Sequence, residues 1–394
     1  LDGTPMKILY VSGAMKDGDF NIYVKNAKYH INPSNQNFHY RFLKALATQT
    51  AVTALTLRPF TKGLFDFQEL KSEVAMDGNI TFEYFPDKAG RIYKLWHRSQ
   101  NLTKRLSDEI KTLGKDVIIL VDAMKFVLAK ATLKAAKKNG ISVFAIVTDN
   151  PHLLSNESRF YVRAIKSLYQ KYDGFITLSS GLNELANKKN KPSYVFSGFA
   201  EALPELTKPE TKPYFFFGGA LYERYGVLNM IEAFRQIKTD RELLIAGHGP
   251  LIARIQEITK EDTRIHYLGM LSREEVHKYE QHADLNINPR LFDENLDKYS
   301  VPSKVLEYLA SGAPLLSTLH STLRDEFCGE AIWVKDGSVD ELRKAMNLFL
   351  NVHNDDMKKK ALLAKEKVLA KYGLENQGKL IYEFLVSSSS RSIN

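Results

Sequence analysis

Between Asp297 and Ser317 the chain reads Asp-Lys-Tyr-Ser-Val-Pro-Ser-Lys-Val-Leu-Glu-Tyr-Leu-Ala-Ser-Gly-Ala-Pro-Leu-Leu-Ser. Ser300, Ser303 and Glu307 are spaced three and four apart, so on a helix they share one face. Ser300 can cap such a helix, and Pro302 suits its first turn. Gly312 followed by Pro314 ends it. The free N–H groups and the positive dipole end of a helix favour phosphate. Hydroxyls at that mouth, with a carboxylate one turn down, can hold a phosphate and a sugar diol together. An ordinary capped helix with a solvated Glu has the same spacing.

Other residues with chemistry stand where strands should end. Asp122, Asp149 and His152 follow apolar runs and could each orient a hydroxyl, or equally cap a strand end. Gly13, in Ser12-Gly13-Ala14, closes the first apolar run. Asp17-Gly18-Asp19 has the form of a metal–nucleotide pair, but it falls in a loop and reads as a turn. Gly218 and Gly219 open a loop that runs to Gly226, where glycines let the backbone approach a ligand. Gly247-His248-Gly249-Pro250 is a lone Gly-x-Gly, and its Pro excludes a dinucleotide fingerprint. No metal site and no cofactor are expected.

These residues need elements to hold them. Continuous apolar runs at 7–13, 51–57, 80–85, 116–121, 141–147, 174–178 and 193–196 read as strands. Between them lie helical patterns from Asn37, at 91–113, 125–139, 160–171 and 180–188, with a long polar loop up to about Asn35. Residues 204–213 carry Pro204, Pro209 and Pro213 and read as a domain boundary. The alternation then restarts, with strands at 214–217, 242–246, 265–268, 285–287 and 331–334. Helices are expected at 227–238, 251–258, 273–282, 302–311, 339–349, 355–371 and 376–386. Alternation of this kind means an α/β fold, with parallel sheets covered on both faces. Two such domains make a cleft, and ligands bind beyond the carboxyl ends of the strands.

Composition narrows the class. The 394 residues suffice for two or three domains. Cys328 is the only cysteine, which excludes an internal disulfide and a Cys metal cluster and fits a reducing cytosol. No run of about 18 apolar residues is present to span a membrane. Leu1 to Pro5 read as a remnant ahead of Met6, with no signal peptide after them. Residues 1–200 hold 29 Lys/Arg against 17 Asp/Glu, and residues 201–394 hold 26 against 29. The excess in the first half points to an anionic partner, or simply to solubility. From Lys88 to Ser107 there is no acid, while Arg91, Lys94, Arg98, Lys104 and Arg105 accompany Tyr93 and Trp96. A basic helix over 91–105 could lie on an anionic membrane, such as the inner face of the plasma membrane, or pack on a sheet.

The stretch ending in Glu307, with Ala310-Ser311-Gly312-Ala313-Pro314 behind it, resembles the nucleotide-sugar motif of glycosyltransferase family 4, a GT-B family. Glu307 matches the second Glu of the family motif, and the first, eight residues earlier, is replaced here by Tyr299. Some bacterial polysaccharide-assembly members share the Tyr-Ser-x-Pro-Ser-Lys variant seen here. The resemblance implies a GT-B fold of two Rossmann-like doubly wound domains facing a cleft. Residues 1–205 would bind the acceptor and 206–375 the donor, with 376–394 crossing back to the first. It implies an enzyme that moves a sugar, with retention, from a nucleotide-sugar (a UDP-sugar favoured) to a hydroxyl of a glycan or lipid-linked acceptor.

The resemblance also assigns candidate roles. Glu307 would hold the ribose hydroxyls. Ser300, Ser303 and Lys304 at the helix mouth would meet the diphosphate. Arg224 is the nearest cation in the loop where the family carries an Arg and a Lys, replaced here by Gly219 and Tyr225. Gly13, Gly218, Gly219, Gly247, His248, Gly249 and Met270 would line the donor site, flanked by Pro289 and Arg290. Asp122 and Asp149 are the catalytic candidates on the acceptor side, with Arg224 on the leaving group. Two rivals are an epimerase of similar architecture, which needs a pair of acid/base carboxylates, and a non-catalytic basic module. Nucleic acid is not expected, because interleaved aromatics and cations on a sheet face are missing.

Overall fold

The computed structural model describes residues 6–29, 31, 33–60, 63–67, 69–88, 97–153, 158–301, 303–318, 321–352 and 354–389. The chain divides into two compact units. Unit 1 is 1–199 with 298–300 and 374–394, and unit 2 is 200–297 with 301–373.

Unit 1 holds an eight-stranded sheet. Its strands are β1 (Lys7–Ser12), β2 (Val52–Thr56), β4 (Glu73–Asp77), β5 (Ile80–Tyr84), β7 (Val117–Asp122), β8 (Val143–Val147), β9 (Gly174–Thr177) and β10 (Ser193–Val195). The order is β10-β9-β8-β7-β1-β2-β5-β4, and only β4 is antiparallel to its neighbour. A short pair, β3 (Glu69–Leu70) with β6 (Asp87–Lys88), stands apart. The apolar runs form strands because both faces are covered: every residue of β7 and β8 is buried. Each such Ile, Leu or Val contributes about 1.5–3 kcal/mol over its exposed state. The helices are α1 (Asp17–Lys25), α2 (Ser34–Ala47), α3 (His97–Leu113), α4 (Phe126–Asn139), α5 (Arg159–Tyr169) and α6 (Ser180–Ala186).

Unit 2 holds six strands, all parallel, in the order β13-β12-β11-β14-β15-β16. They are β11 (Tyr214–Gly218), β12 (Glu242–Ala246), β13 (Ile265–Gly269), β14 (Leu285–Asn288), β15 (Leu315–Thr318) and β16 (Ile332–Val334). Its helices are α7 (Val227–Arg235), α8 (Ile252–Glu261), α9 (Arg273–His282), α10 (Glu294–Tyr299), α11 (Ser303–Ser311), α12 (Ser321–Glu326), α13 (Val339–Asn351) and α14 (Asn354–Tyr372). Tyr299, the last residue of α10, counts with unit 1. The terminal helix α15 (Leu374–Ser389) also counts with unit 1, where Ile381 and Leu385 are fully buried in the core that contains α2.

Several boundaries depart from the sequence expectation. The expected break at 205/206 lies at 199/200, because the Pro-rich stretch is fastened to unit 2. Gln281 accepts from Leu206 N at 3.0 Å and donates to Pro204 O at 2.9 Å, while His282 Nε2 lies 2.6 Å from Leu206 O. The polar loop expected up to Asn35 contains α1, whose Phe20 and Tyr23 are buried. Asp17 and Asp19 form its first turn rather than a loop, and Asp19 Oδ2 accepts from Tyr84 at 2.5 Å. Residues 294–299 are helical where a loop was expected. In the expected basic helix, 91–96 lie outside the described residues. From 97 onward, α3 buries Leu102, Leu106 and Ile110 in the core, so its apolar stripe packs on the sheet rather than facing a membrane. Among the described residues no helix is long and apolar enough to cross a membrane.

Candidate functional site

In unit 2 the best-organised chemistry lies at the carboxyl ends of β11, β12 and β14. Helix α11 starts at Ser303, so Pro302 precedes it, outside the described residues, and Ser300 stands beyond that in unit 1. Ser303 is exposed, whereas Glu307 is half-buried one turn inside. Val305, Leu306, Tyr308 and Leu309 anchor the opposite face. Tyr308 also ties the helix to the end of β11: its hydroxyl accepts from Gly218 N at 3.0 Å.

Lys304 does not stand as a free phosphate cation. Its Nζ lies 2.9 Å from Glu307 Oε2 and 3.0 Å from Glu280 Oε1 on α9. Burial opposes its charge, but Glu280 and Glu307 outweigh that and raise its pKa above the ordinary value. Glu280 and its neighbour His277 were not singled out in the sequence. The available signal was the spacing of Arg273, His277 and Glu280, which puts them on one helix face.

The glycine loops cross each other closely. Gly247 has φ +141° and its Cα lies over Gly219 O, where a Cβ would stand 1.8 Å away. Gly226 (φ +69°) lies against Pro289 O in the same way, at 1.9 Å. No L side chain fits either place. Leu221 N donates to His248 O at 3.0 Å, and Tyr267 Oη donates to Gly247 O at 2.8 Å, closing the lining. His248 is exposed, Gly249 is half-buried, and Met270 is exposed beyond β13.

Two guanidinium groups lie near the Tyr225 ring. Arg224 lies 5.1 Å and Arg290 5.8 Å from its ring centre. Leu291 N donates to Arg224 O at 3.3 Å, so the two loops are joined. Burial lowers the pKa of Arg290, and Arg224 adds to that, while Asp293 and Asp297 work the other way. Arg224 therefore has a second cation beside it, at the ends of the adjacent strands β11 and β14.

In unit 1, Gly13 follows β1, and Gln36 clamps the next turn through Met15 N at 2.8 Å and Met15 O at 2.7 Å. Asp122 ends β7 but is fully buried. Its Oδ2 faces His39 Nε2 at 3.3 Å, its Oδ1 accepts from Met124 N at 2.9 Å, and His39 Nδ1 lies 2.6 Å from Tyr10 Oη. Burial by itself would raise the Asp122 pKa, yet His39 more than offsets it and the value is lowered. Asp122, expected as a catalytic candidate, is a fully buried carboxylate turned towards His39. Asp149, at the next strand end, is exposed. Its crowded surroundings push its pKa up, Thr148 Oγ1 at 2.8 Å opposes that, and Asp122 adds to the rise. His152 stays at the surface beside Lys166 Nζ, 3.3 Å away.

Residues 199–363 match the family model for glycosyl transferases group 1. The sequence matches no curated protein. Solved structures resemble the whole chain. A sucrose-phosphate synthase from Thermosynechococcus elongatus has a TM-score of 0.68 at 14% identity, covering 97% of this chain and 100% of that one. The trehalose-6-phosphate synthase OtsA has a TM-score of 0.68 at 14% identity, covering 96% and 98%. Anabaena HepE, solved in complex with UDP, has a TM-score of 0.65 at 14% identity, covering 97% and 100%. The fold is GT-B.

Proposed function

We propose that this chain, a glycosyltransferase of the GT-B fold, moves a sugar from a nucleotide-sugar to a hydroxyl of a glycan or lipid-linked acceptor. We favour a UDP-sugar donor, retention of anomeric configuration, and a place in bacterial surface polysaccharide synthesis. The observation that carries this reading is α11. An exposed Ser303 stands at its first turn, and a half-buried Glu307 lies one turn inside. A carboxylate there accepts both hydroxyls of a ribose, while the helix N-terminus faces the diphosphate. HepE binds UDP, which is why UDP is the favoured nucleotide. Family 4 membership rests on the Ala-Ser-Gly-Ala-Pro ending and the Tyr-Ser-x-Pro-Ser-Lys variant.

In the reaction the bond from the anomeric carbon to the diphosphate breaks, and a bond from that carbon to the acceptor oxygen forms. Charge grows on the departing diphosphate. The α11 N-terminus and Arg224 stabilise it, without a metal or cofactor. Unit 1, with its excess of Lys and Arg, suits a phosphate-bearing acceptor. We take Asp149 as the candidate carboxylate to orient the acceptor hydroxyl.

A thermal-shift and hydrolysis screen over UDP-, GDP- and dTDP-sugars, run on wild type beside Glu307→Ala, tests this. One nucleotide should raise the melting temperature of the wild type and not of the variant. If no nucleotide shifts either protein, the reading fails.

A further inference from the structure

Behind the ribose carboxylate lies a row of charges that the reading above does not use. Glu280 is completely buried on α9. Its two oxygens have separate partners: Oε1 meets Lys304 Nζ at 3.0 Å, and Oε2 meets His277 Nδ1 at 2.8 Å. Arg273 Nε donates to His277 Nε2 at 3.3 Å, which places the ring proton on Nδ1, aimed at Glu280. Arg273 is itself paired with Glu201. On the main-chain side, Glu280 O accepts from Asn286 Nδ2 at 2.9 Å. The same Nδ2 reaches Ser311 Oγ, at the last residue of α11, at 3.3 Å. Helices α9 and α11 are thus pinned at both ends of the shorter one.

We infer that Glu280 is a positioning residue for the donor: it fixes the Lys304 ammonium, and Lys304 fixes the Glu307 carboxylate that meets the ribose. The inference rests on the reading of Glu307 as the ribose ligand. A Lys–Glu pair three apart on an exposed helix is worth only tenths of a kcal/mol and wanders. Lys304 differs because its other partner is a buried carboxylate. That carboxylate cannot release the ammonium without becoming an uncompensated buried charge. The ammonium is therefore a strut between an inner and an outer acid. Glu307, 2.9 Å from it and only 16% exposed, inherits the inner acid's fixed position.

The test separates ribose recognition from everything else. Isothermal titration with UDP, 2′,3′-dideoxy-UDP and uridine gives two ratios for each protein, one for the ribose hydroxyls and one for the diphosphate. Wild type should prefer UDP over the dideoxy analogue by about 30-fold, the weight of one to two charge-assisted hydrogen bonds. Glu307→Ala should abolish that ratio. Glu280→Gln should cut it to a few-fold while leaving the UDP-to-uridine ratio near wild type. Glu280→Gln with Glu307→Ala should behave as Glu307→Ala alone. Lys304→Met should reproduce Glu280→Gln, and Lys304→Met combined with Glu280→Gln, which leaves no buried carboxylate without its ammonium, decides the matter if a single variant does not fold. Full ribose preference in Glu280→Gln and in Lys304→Met, with loss only in Glu307→Ala, overturns the inference alone. Equal weakening of all three ligands in those variants also overturns it, because that is a merely structural role. A wild type with no ribose preference overturns the reading of Glu307 as well.

Discussion

Each unit buries one carboxylate beside a His, and the two arrangements lead to opposite ends. In unit 1, Asp122 and His39 are both fully buried, and the row stops at Tyr10, buried as well. In unit 2, Glu280 is buried just as deeply, but its row continues through Lys304 to Glu307, which solvent reaches. A closed row can only hold a fold together. An open one can transmit rigidity from a core to a ligand. Burial alone therefore does not mark a functional acid. The next partner outward does, and the contrast can be pressed experimentally.

The largest effect is expected in the closed row. Asp122→Ala leaves His39 buried without the carboxylate it faces, and should cost about 3–5 kcal/mol in urea unfolding. Because the Asp122 pKa is lowered in the fold, its contribution is fully present above its unfolded value of about 3.9. It is lost as pH falls through the lower folded value. Asp122→Asn should therefore flatten the acid side of the stability curve. UDP affinity of the folded variant should stay at wild type, and a specific loss of UDP binding would show that the row is not closed.

Glu307→Ala comes next. It should weaken UDP binding by about 30- to 100-fold, which corresponds to about 2–3 kcal/mol, with the unfolding midpoint little changed. A variant that loses stability and keeps UDP would place the open row beside the closed one, and the comparison would collapse.

The parts of this contrast differ in how legible they were in the sequence. Strands β7, β8 and β11 were readable because they are buried on both faces and so carry unbroken apolar runs. Helix α4 was readable from its Gly140 end, which sits in the left-handed region as a C-cap should. The glycine loops and α11 followed from punctuation in the same way. Helix α1 was not readable: Gly18 and Asn21 weaken it locally, and the burial of Phe20 and Tyr23 with the Asp19–Tyr84 bond holds it from outside. The domain boundary was misplaced because prolines mark irregular backbone, whether it swings free or is docked on Gln281 and His282. Glu280 was hidden for a related reason. In Arg273–His282 it is one charge among several on a polar helix, and only the fold says which one points inward.

A smaller effect should separate Arg224 from the carboxylates. If its guanidinium meets the diphosphate as proposed, Arg224→Ala should lower UDP affinity by roughly tenfold, about 1.4 kcal/mol, and leave uridine binding unchanged. Arg290 remains 5.8 Å from the Tyr225 ring centre and limits the loss. Equal loss for uridine and UDP would mean that the arginine braces the loop instead.

The smallest effect has the sign that best sharpens the contrast. Asp149 is exposed, yet its surroundings raise its pKa, so the folded state holds its proton more tightly than the unfolded chain does. Its ionised form therefore works against folding once pH passes the unfolded value. Solvent screening keeps that cost small. Asp149→Asn should stabilise the protein slightly at pH 7, by less than about 1 kcal/mol, and the gain should vanish at pH 3. A group that costs stability in its charged form is one the fold does not keep for its own sake. If Asp149 orients the acceptor hydroxyl, the same variant should lose sugar transfer while keeping donor binding and donor hydrolysis. Asp122→Asn would then show the reverse pattern, with stability lost and the donor untouched. A fall in melting temperature for Asp149→Asn at pH 7 would move Asp149 into the closed row with its neighbour, and the acceptor carboxylate would have to be sought elsewhere in unit 1.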